Sequence, residues 1–86
     1  MGTYRVRFTP AAERQLAKLP AAARTLVAAA IVTLAHEPRP PGCVKLAGAD
    51  HLWRIRVRSF RVIYSIVDTR VTVTIVKIAD RKDVYR

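Results

Sequence analysis

The order of patterned segments in this 86-residue chain predicts an α+β fold, β-α-α-β-β-β, with an antiparallel sheet and a two-helix hairpin packed on one of its faces. Three observations predict it. Residues 4–8 alternate apolar and charged side chains, apolar residues between 12 and 34 recur at helical spacing, and three strand-like runs crowd into 52–78 with only short turns between them.

Tyr4-Arg5-Val6-Arg7-Phe8 has period two, the mark of a strand with one buried and one wet face. Thr9-Pro10 stops it and starts a helix, because Thr9 can cap and Pro10 suits the first helical position, where its missing N–H costs nothing. Ala12, Leu16 and Leu19 then form one apolar stripe, with Glu13, Arg14 and Lys18 turned outward. Pro20 ends this helix and begins a second, in which Ala23, Val27, Ala30, Ile31 and Leu34 share a face. Residues 37–42, Glu-Pro-Arg-Pro-Pro-Gly, cannot continue a helix and predict a stiff connector.

Three strands follow the Lys45-Leu46-Ala47-Gly48 segment: Leu52 to Val57, Arg61 to Val67 and Val71 to Ile78. The turns at Arg58-Ser59-Phe60 and Asp68-Thr69-Arg70 imply antiparallel hairpins. The tail from Asp80 to Arg86 is polar and reads as a loop leaving the last strand. Residues 1–86 are expected to form one domain, since neither a repeat nor a low-complexity tract interrupts them.

Sixteen Lys and Arg against six Asp and Glu give a formal charge of +10, while 51% of residues are hydrophobic. That hydrophobic share is incompatible with a disordered polyelectrolyte. A field this positive on a small surface favours polyanions, nucleic acid first and an acidic protein second. A membrane partner is not expected, because no amphipathic helix gathers the charge on one face and no apolar run approaches the ~20 residues of a bilayer span. Cys43 is the lone cysteine, which excludes an internal disulfide and a thiolate-rich metal site. A cytoplasmic protein without metal or cofactor is the expectation.

In Trp53-Arg54-Ile55-Arg56-Val57-Arg58 the alternation sends Arg54, Arg56 and Arg58 to one side of the sheet, with Arg61 just across the turn. Next-but-one residues on a strand stand roughly 6.5–7 Å apart, close to the interval between phosphates along a nucleic-acid strand. The row reads either as a charged, solubilising sheet face or as a phosphate-binding comb. Four like charges within eight residues repel, a cost that a polyanion would offset. His36 and His51 lack metal-ligand partners at a useful spacing, and Cys43 has no histidine nearby in sequence. Tyr85, outside any apolar period and four residues after Arg81, reads as a pin for the tail or as a functional aromatic.

Four pieces in order, "VRFTPAAERQLAKLP", "KLAG", "LWRIRVRSFRVIY" and "IADRKDVYR", together resemble the RelE/ParE superfamily of type II toxins, and within it the RelE branch of mRNA interferases. The resemblance covers nearly the whole chain. It implies a toxin that enters the ribosomal A site and cuts mRNA by attack of a ribose 2′-OH on its own 3′-phosphate, with no metal or cofactor. Carried onto this sequence, the motif implies catalytic roles for Arg54, Arg56, Arg61, Arg81 and Tyr85; Arg58, Lys45 and Lys82 are expected as further RNA contacts. The implied partners are an acidic antitoxin, the ribosome and mRNA, in a toxin–antitoxin hetero-oligomer, the toxin alone being monomeric.

The chain departs from the family pattern in three ways. Arginines stand at 54 and 56 where lysines occur in the best-known member, and an arginine keeps its proton at ordinary pH, which makes Arg54 a poor general base. Asp80 takes the place of a histidine found in many relatives, and Arg58-Ser59 replaces a Gly-containing turn. A ParE-like gyrase poison on the same fold, and a non-catalytic RNA-binding module, are the alternative expectations.

Overall fold

The structure, a computed structural model, describes residues 3–48 and 51–80. Strand β1 (Arg5–Phe8) leads into helices α1 (Pro10–Ala17) and α2 (Ala21–Leu34), followed by β2 (Val44–Lys45), β3 (Leu52–Val57), β4 (Phe60–Val67) and β5 (Thr72–Asp80). The five strands lie in the order β1-β5-β4-β3-β2. All neighbours are antiparallel except β1 and β5, which run parallel. The antiparallel sheet expected from the turns is present, with one parallel pair at its edge. The helical hairpin intervenes after β1 and frees it from its sequence neighbours, so that it pairs with the last strand instead.

Local chemistry explains the helix ends. The Thr9 hydroxyl accepts from the Ala12 amide at 3.1 Å, capping α1, and donates to the Val76 carbonyl at 3.0 Å, fastening the cap to β5. Beyond Ile75, the last residue paired with β1, Gln15 takes over as partner: its Oε1 accepts from the Ile78 amide at 2.8 Å. Helix α1 therefore covers a stretch of sheet edge that β1 is too short to reach.

The core lies between the helices and one face of the sheet. Val27, Ile31 and Leu34 of α2 and Ala12 of α1 meet Ile55, Val62, Tyr64, Ile66, Val73, Ile75 and Ile78. The helical stripes read from the sequence are the buried ones, with Leu16, Leu19 and Ala30 packed at the margin, except that Ala23 lines a groove beside the β3–β4 turn. Tyr64 is fully buried, and its hydroxyl donates to the Pro38 carbonyl at 2.7 Å, tying the proline connector to the sheet. Burial, and then the neighbouring Cys43 thiol, push the Tyr64 phenol well above its ordinary range.

Arg39 extends this fastening. Its guanidinium pairs with Asp68 at 2.9 Å and stands 5.0 Å over the Trp53 ring, while the Tyr4 hydroxyl donates to Asp68 at 2.7 Å. The hydrogen bonds from Arg39 and then Tyr4 hold the Asp68 carboxyl below its ordinary value, and the bond to Asp68 raises the Tyr4 phenol. The connector, the residue that leads into β1 and the β4–β5 turn are joined at one carboxylate.

Three boundaries differ from the sequence expectation. Phe60 opens β4, opposite Val57, which shortens the β3–β4 link to Arg58-Ser59. Asp68–Arg70 forms a 3₁₀ turn ended by Val71 in the left-handed region at φ 49°. Asp80 belongs to β5, opposite Phe60, rather than to the tail loop. Strand β2 has no counterpart among the expected elements, because two residues are too few to carry a period.

Candidate functional site

Alternation along β3, β4 and β5 builds the site. Ile55, Val62 and Ile78 stand in one cross-strand row and face the core, so their neighbours face the other way. In that opposite face Arg56 pairs directly with Arg61, Arg54 with Ile63, and Ile63 in turn with Lys77. Three of the expected residues, Arg54, Arg56 and Arg61, are therefore brought together from two strands. Directly opposed side chains have Cβ atoms about 4.5–5.5 Å apart, and Arg54 follows Arg56 at roughly 6.5–7 Å along β3.

The three arginines are not equivalent. Arg56 is exposed and makes no ion pair or side-chain hydrogen bond among the described residues. Arg54 is half-buried, and its Nε is shut off from solvent without meeting an acceptor. A shielded donor of this kind costs about 1–3 kcal/mol relative to a satisfied one. Arg61 sits half-buried on the central strand β4, flanked by Arg56 and by Ala79. Guanidinium forks at this spacing can take the oxygens of one phosphate in pairs.

Arg58 and Lys45 stand apart from this group. Arg58 occupies the turn at φ 58° and lines a shallow groove beside Ala22, Ala23 and Leu26 of α2, on the helix side of the hairpin. The expected row of three along β3 ends at Arg56, because the chain reverses one residue later. The turn keeps a two-residue form, with a single left-handed residue in the position where glycine is usual. Lys45 pairs with Trp53 and so shares the face of Trp53, opposite the arginines. Arg81, Lys82 and Tyr85 lie outside the described residues.

Asp80 closes β5 and lines a groove with Gln15, Lys18, Pro20 and Phe60 under the end of α1. Lys77, exposed on the arginine face, is a member of the site that sequence reasoning misses. Its signal is weak, since the irregularity between Ile63 and Tyr64 breaks the period of β5 just before it. Among the described residues no group of three or more His, Cys, Asp or Glu is placed to hold a metal ion, and no helix is long and apolar enough to cross a membrane.

Comparison with known proteins agrees with this architecture. Residues 6–85 match the family described as ParE toxin of type II toxin-antitoxin system, parDE. No curated protein matches the chain. Among solved structures, the RelE–RelB complex of the archaeon Pyrococcus horikoshii is similar at 31% identity and TM-score 0.82, covering 92% of this chain and 96% of that one. The RelBE2 toxin–antitoxin complex of Mycobacterium tuberculosis gives 31% identity and TM-score 0.81, covering 92% and 99%. The intact RelBE complex of E. coli gives 25% identity and TM-score 0.80, covering 90% and 95%. With its profile match over nearly the full length and its two helices on a five-stranded sheet, the chain belongs to the RelE/ParE superfamily of type II toxin–antitoxin toxins.

Proposed function

We propose that the chain is a ribosome-dependent endoribonuclease that cuts mRNA in the A site. The observation that carries this reading is the convergence of Arg54, Arg56 and Arg61 on one sheet face, with Arg56 and Arg61 directly opposed. In the reaction a ribose 2′-oxygen attacks the adjacent phosphorus, the P–O5′ bond breaks, and the products are a 2′,3′-cyclic phosphate and a 5′-hydroxyl. Charge gathers on the non-bridging oxygens in the transition state, where Arg56 and Arg61 would bind it, while Arg54 would position the phosphate. In-line alignment of attacking and leaving oxygens, imposed with the ribosome, would supply much of the rest. Arg81 would stabilise the leaving 5′-oxygen or orient the phosphate, and Tyr85 would stack on a splayed base or touch the 2′-OH region. An acidic antitoxin would neutralise the +10 chain, a reading supported by the RelE–RelB complexes among its structural neighbours.

The test adds purified protein to programmed ribosomes carrying a defined mRNA and maps cuts by primer extension. A cut in the A-site codon that ends in a cyclic phosphate, needs ribosomes and is lost in Arg61→Ala is the expected result. A folded protein that arrests growth without cutting would refute it. That outcome would favour a gyrase poison, the reading that the ParE name of the matching family supports, and a supercoiling assay would then decide.

A further inference from the structure

A second cationic cluster lies on the same sheet face, at the corner diagonally opposite Arg56 and Arg61. Arg5, Arg7 and Arg70 line a depression of about 450 Å³ together with Val67, Thr72 and Thr74. Among the described residues no carboxylate lines it. Asp68, the nearest acid in sequence, is held by Arg39 at 2.9 Å and Tyr4 at 2.7 Å. None of the three arginines has a side-chain hydrogen bond or an ion pair among the described residues.

The cluster is assembled by tertiary pairing. Arg5 and Arg7 lie opposite Thr72 and Thr74 in the parallel β1–β5 ladder. Val71, left-handed at φ 49°, turns the chain so that the preceding residue, Arg70, reaches the same depression. The Thr72 hydroxyl donates to the Arg70 carbonyl and the Arg5 amide to the Val71 carbonyl, each at 2.8 Å, which ties this turn to the strand. Thr74 adds a hydroxyl to the same wall. Three cations and a hydroxyl around one depression, without a counter-charge, match the chemistry of a phosphodiester backbone.

Register gives the separation. Arg7 lies opposite Thr74, Thr74 opposite Ser65, and Ser65 stands on the same strand as Arg61. With strands ~4.8 Å apart and residues ~3.3 Å apart along them, the two clusters are roughly 16–22 Å from one another, the reach of a few nucleotides of extended strand. Lys77 lies between them on the same face.

We propose that Arg5, Arg7 and Arg70, with Thr74, form a second phosphate site that holds the backbone of the same RNA strand whose scissile phosphate occupies Arg56 and Arg61. The proposal takes the identity of the strand from the nuclease reading, but its test reads binding alone. The purified full-length chain is titrated with a single-stranded RNA dodecamer and with a trinucleotide, too short to reach both clusters, over a range of salt. In Arg5→Gln/Arg7→Gln/Arg70→Gln the dodecamer affinity at low salt should fall at least tenfold. The slope of log K against log salt should flatten by up to about 2, at ~0.7 for each phosphate of a single strand that the variant ceases to neutralise.

Trinucleotide binding should be unchanged in that variant and weakened in Arg61→Ala. If the triple variant does not fold, Arg7→Gln alone should flatten the dodecamer slope by about 0.7. Equal weakening for both oligonucleotides, no change for the dodecamer, or an intact chain that fails to hold the dodecamer would each overturn the proposal. A weakening seen only in ribosome affinity would also overturn it, moving the site to ribosomal RNA. Failure to cut mRNA would sink the nuclease reading while leaving this binding result in place.

Discussion

Replacing Arg56 by Gln should make the protein more stable and less active. Arg56 faces Arg61 across the β3–β4 hairpin, and β3 holds no carboxylate that could offset the repulsion. At a charge separation of ~6 Å the Coulomb cost is about 0.7 kcal/mol in a water-like dielectric and several-fold more where solvent is excluded. Arg56 is exposed, so the lower figure applies, and Arg54 along the strand adds a smaller increment. Gln keeps most of the aliphatic stem and a polar end, and removes the charge together with the guanidinium's fork of donors. A gain of about 0.5–1 kcal/mol is expected in urea unfolding at ~0.01 M salt. It should nearly vanish at ~1 M, where the screening length drops to ~3 Å. Cleavage on ribosomes should fall by about 10²–10³, the usual cost of losing one transition-state donor. A variant that is no more stable at low salt, or whose gain is independent of salt, would refute the electrostatic argument. Full cleavage activity would refute the assignment of Arg56 to the phosphate clamp.

The remaining predictions concern the frame around the site. Tyr64→Phe leaves the partly buried Pro38 carbonyl without its 2.7 Å donor, and should cost about 1 kcal/mol in urea unfolding, with cleavage unaffected. Arg58→Gly should relieve the left-handed turn residue and raise stability by up to ~1 kcal/mol, or ~4–8 °C in Tm, with cleavage retained, since Arg58 stands off the arginine face. The lowered Asp68 carboxyl contributes stability that is complete above its ordinary value of 3.8 and is lost as pH falls through its folded value. Asp68→Asn should therefore flatten the acid limb of the stability profile below about pH 4 in denaturant titrations.

Much of this molecule is local and so is readable from the chain. The Thr9-Pro10 start, the 12-16-19 stripe and the alternation through 52–57 depend on neighbours a few residues apart, and period two alone places Arg54 and Arg56 on one face and Ile55 on the other. Helical and strand periods are properties of a single segment, which is why they survive into the fold unchanged. The same alternation fails at Arg58, where a strand pattern continues in the sequence through what is a turn in the fold.

Register and long-range pairing are settled only in three dimensions. That Arg61 lies opposite Arg56 follows from a turn shortened to two residues, and that Lys45 falls on the Trp53 face follows from the pairing of a strand two residues long. Both hinge on single-residue offsets, and a one-residue slip sends a side chain to the opposite face. Local order along the chain dictates which residues alternate, cap and pack, and composition dictates how strongly positive the product is. Folding alone joins β1 to β5 in parallel, setting Arg5 and Arg7 beside Arg70, more than sixty residues away along the chain. The physical reason is that partners so distant meet through burial of a shared core, which specifies a face but carries no local signal of which strand will be the neighbour.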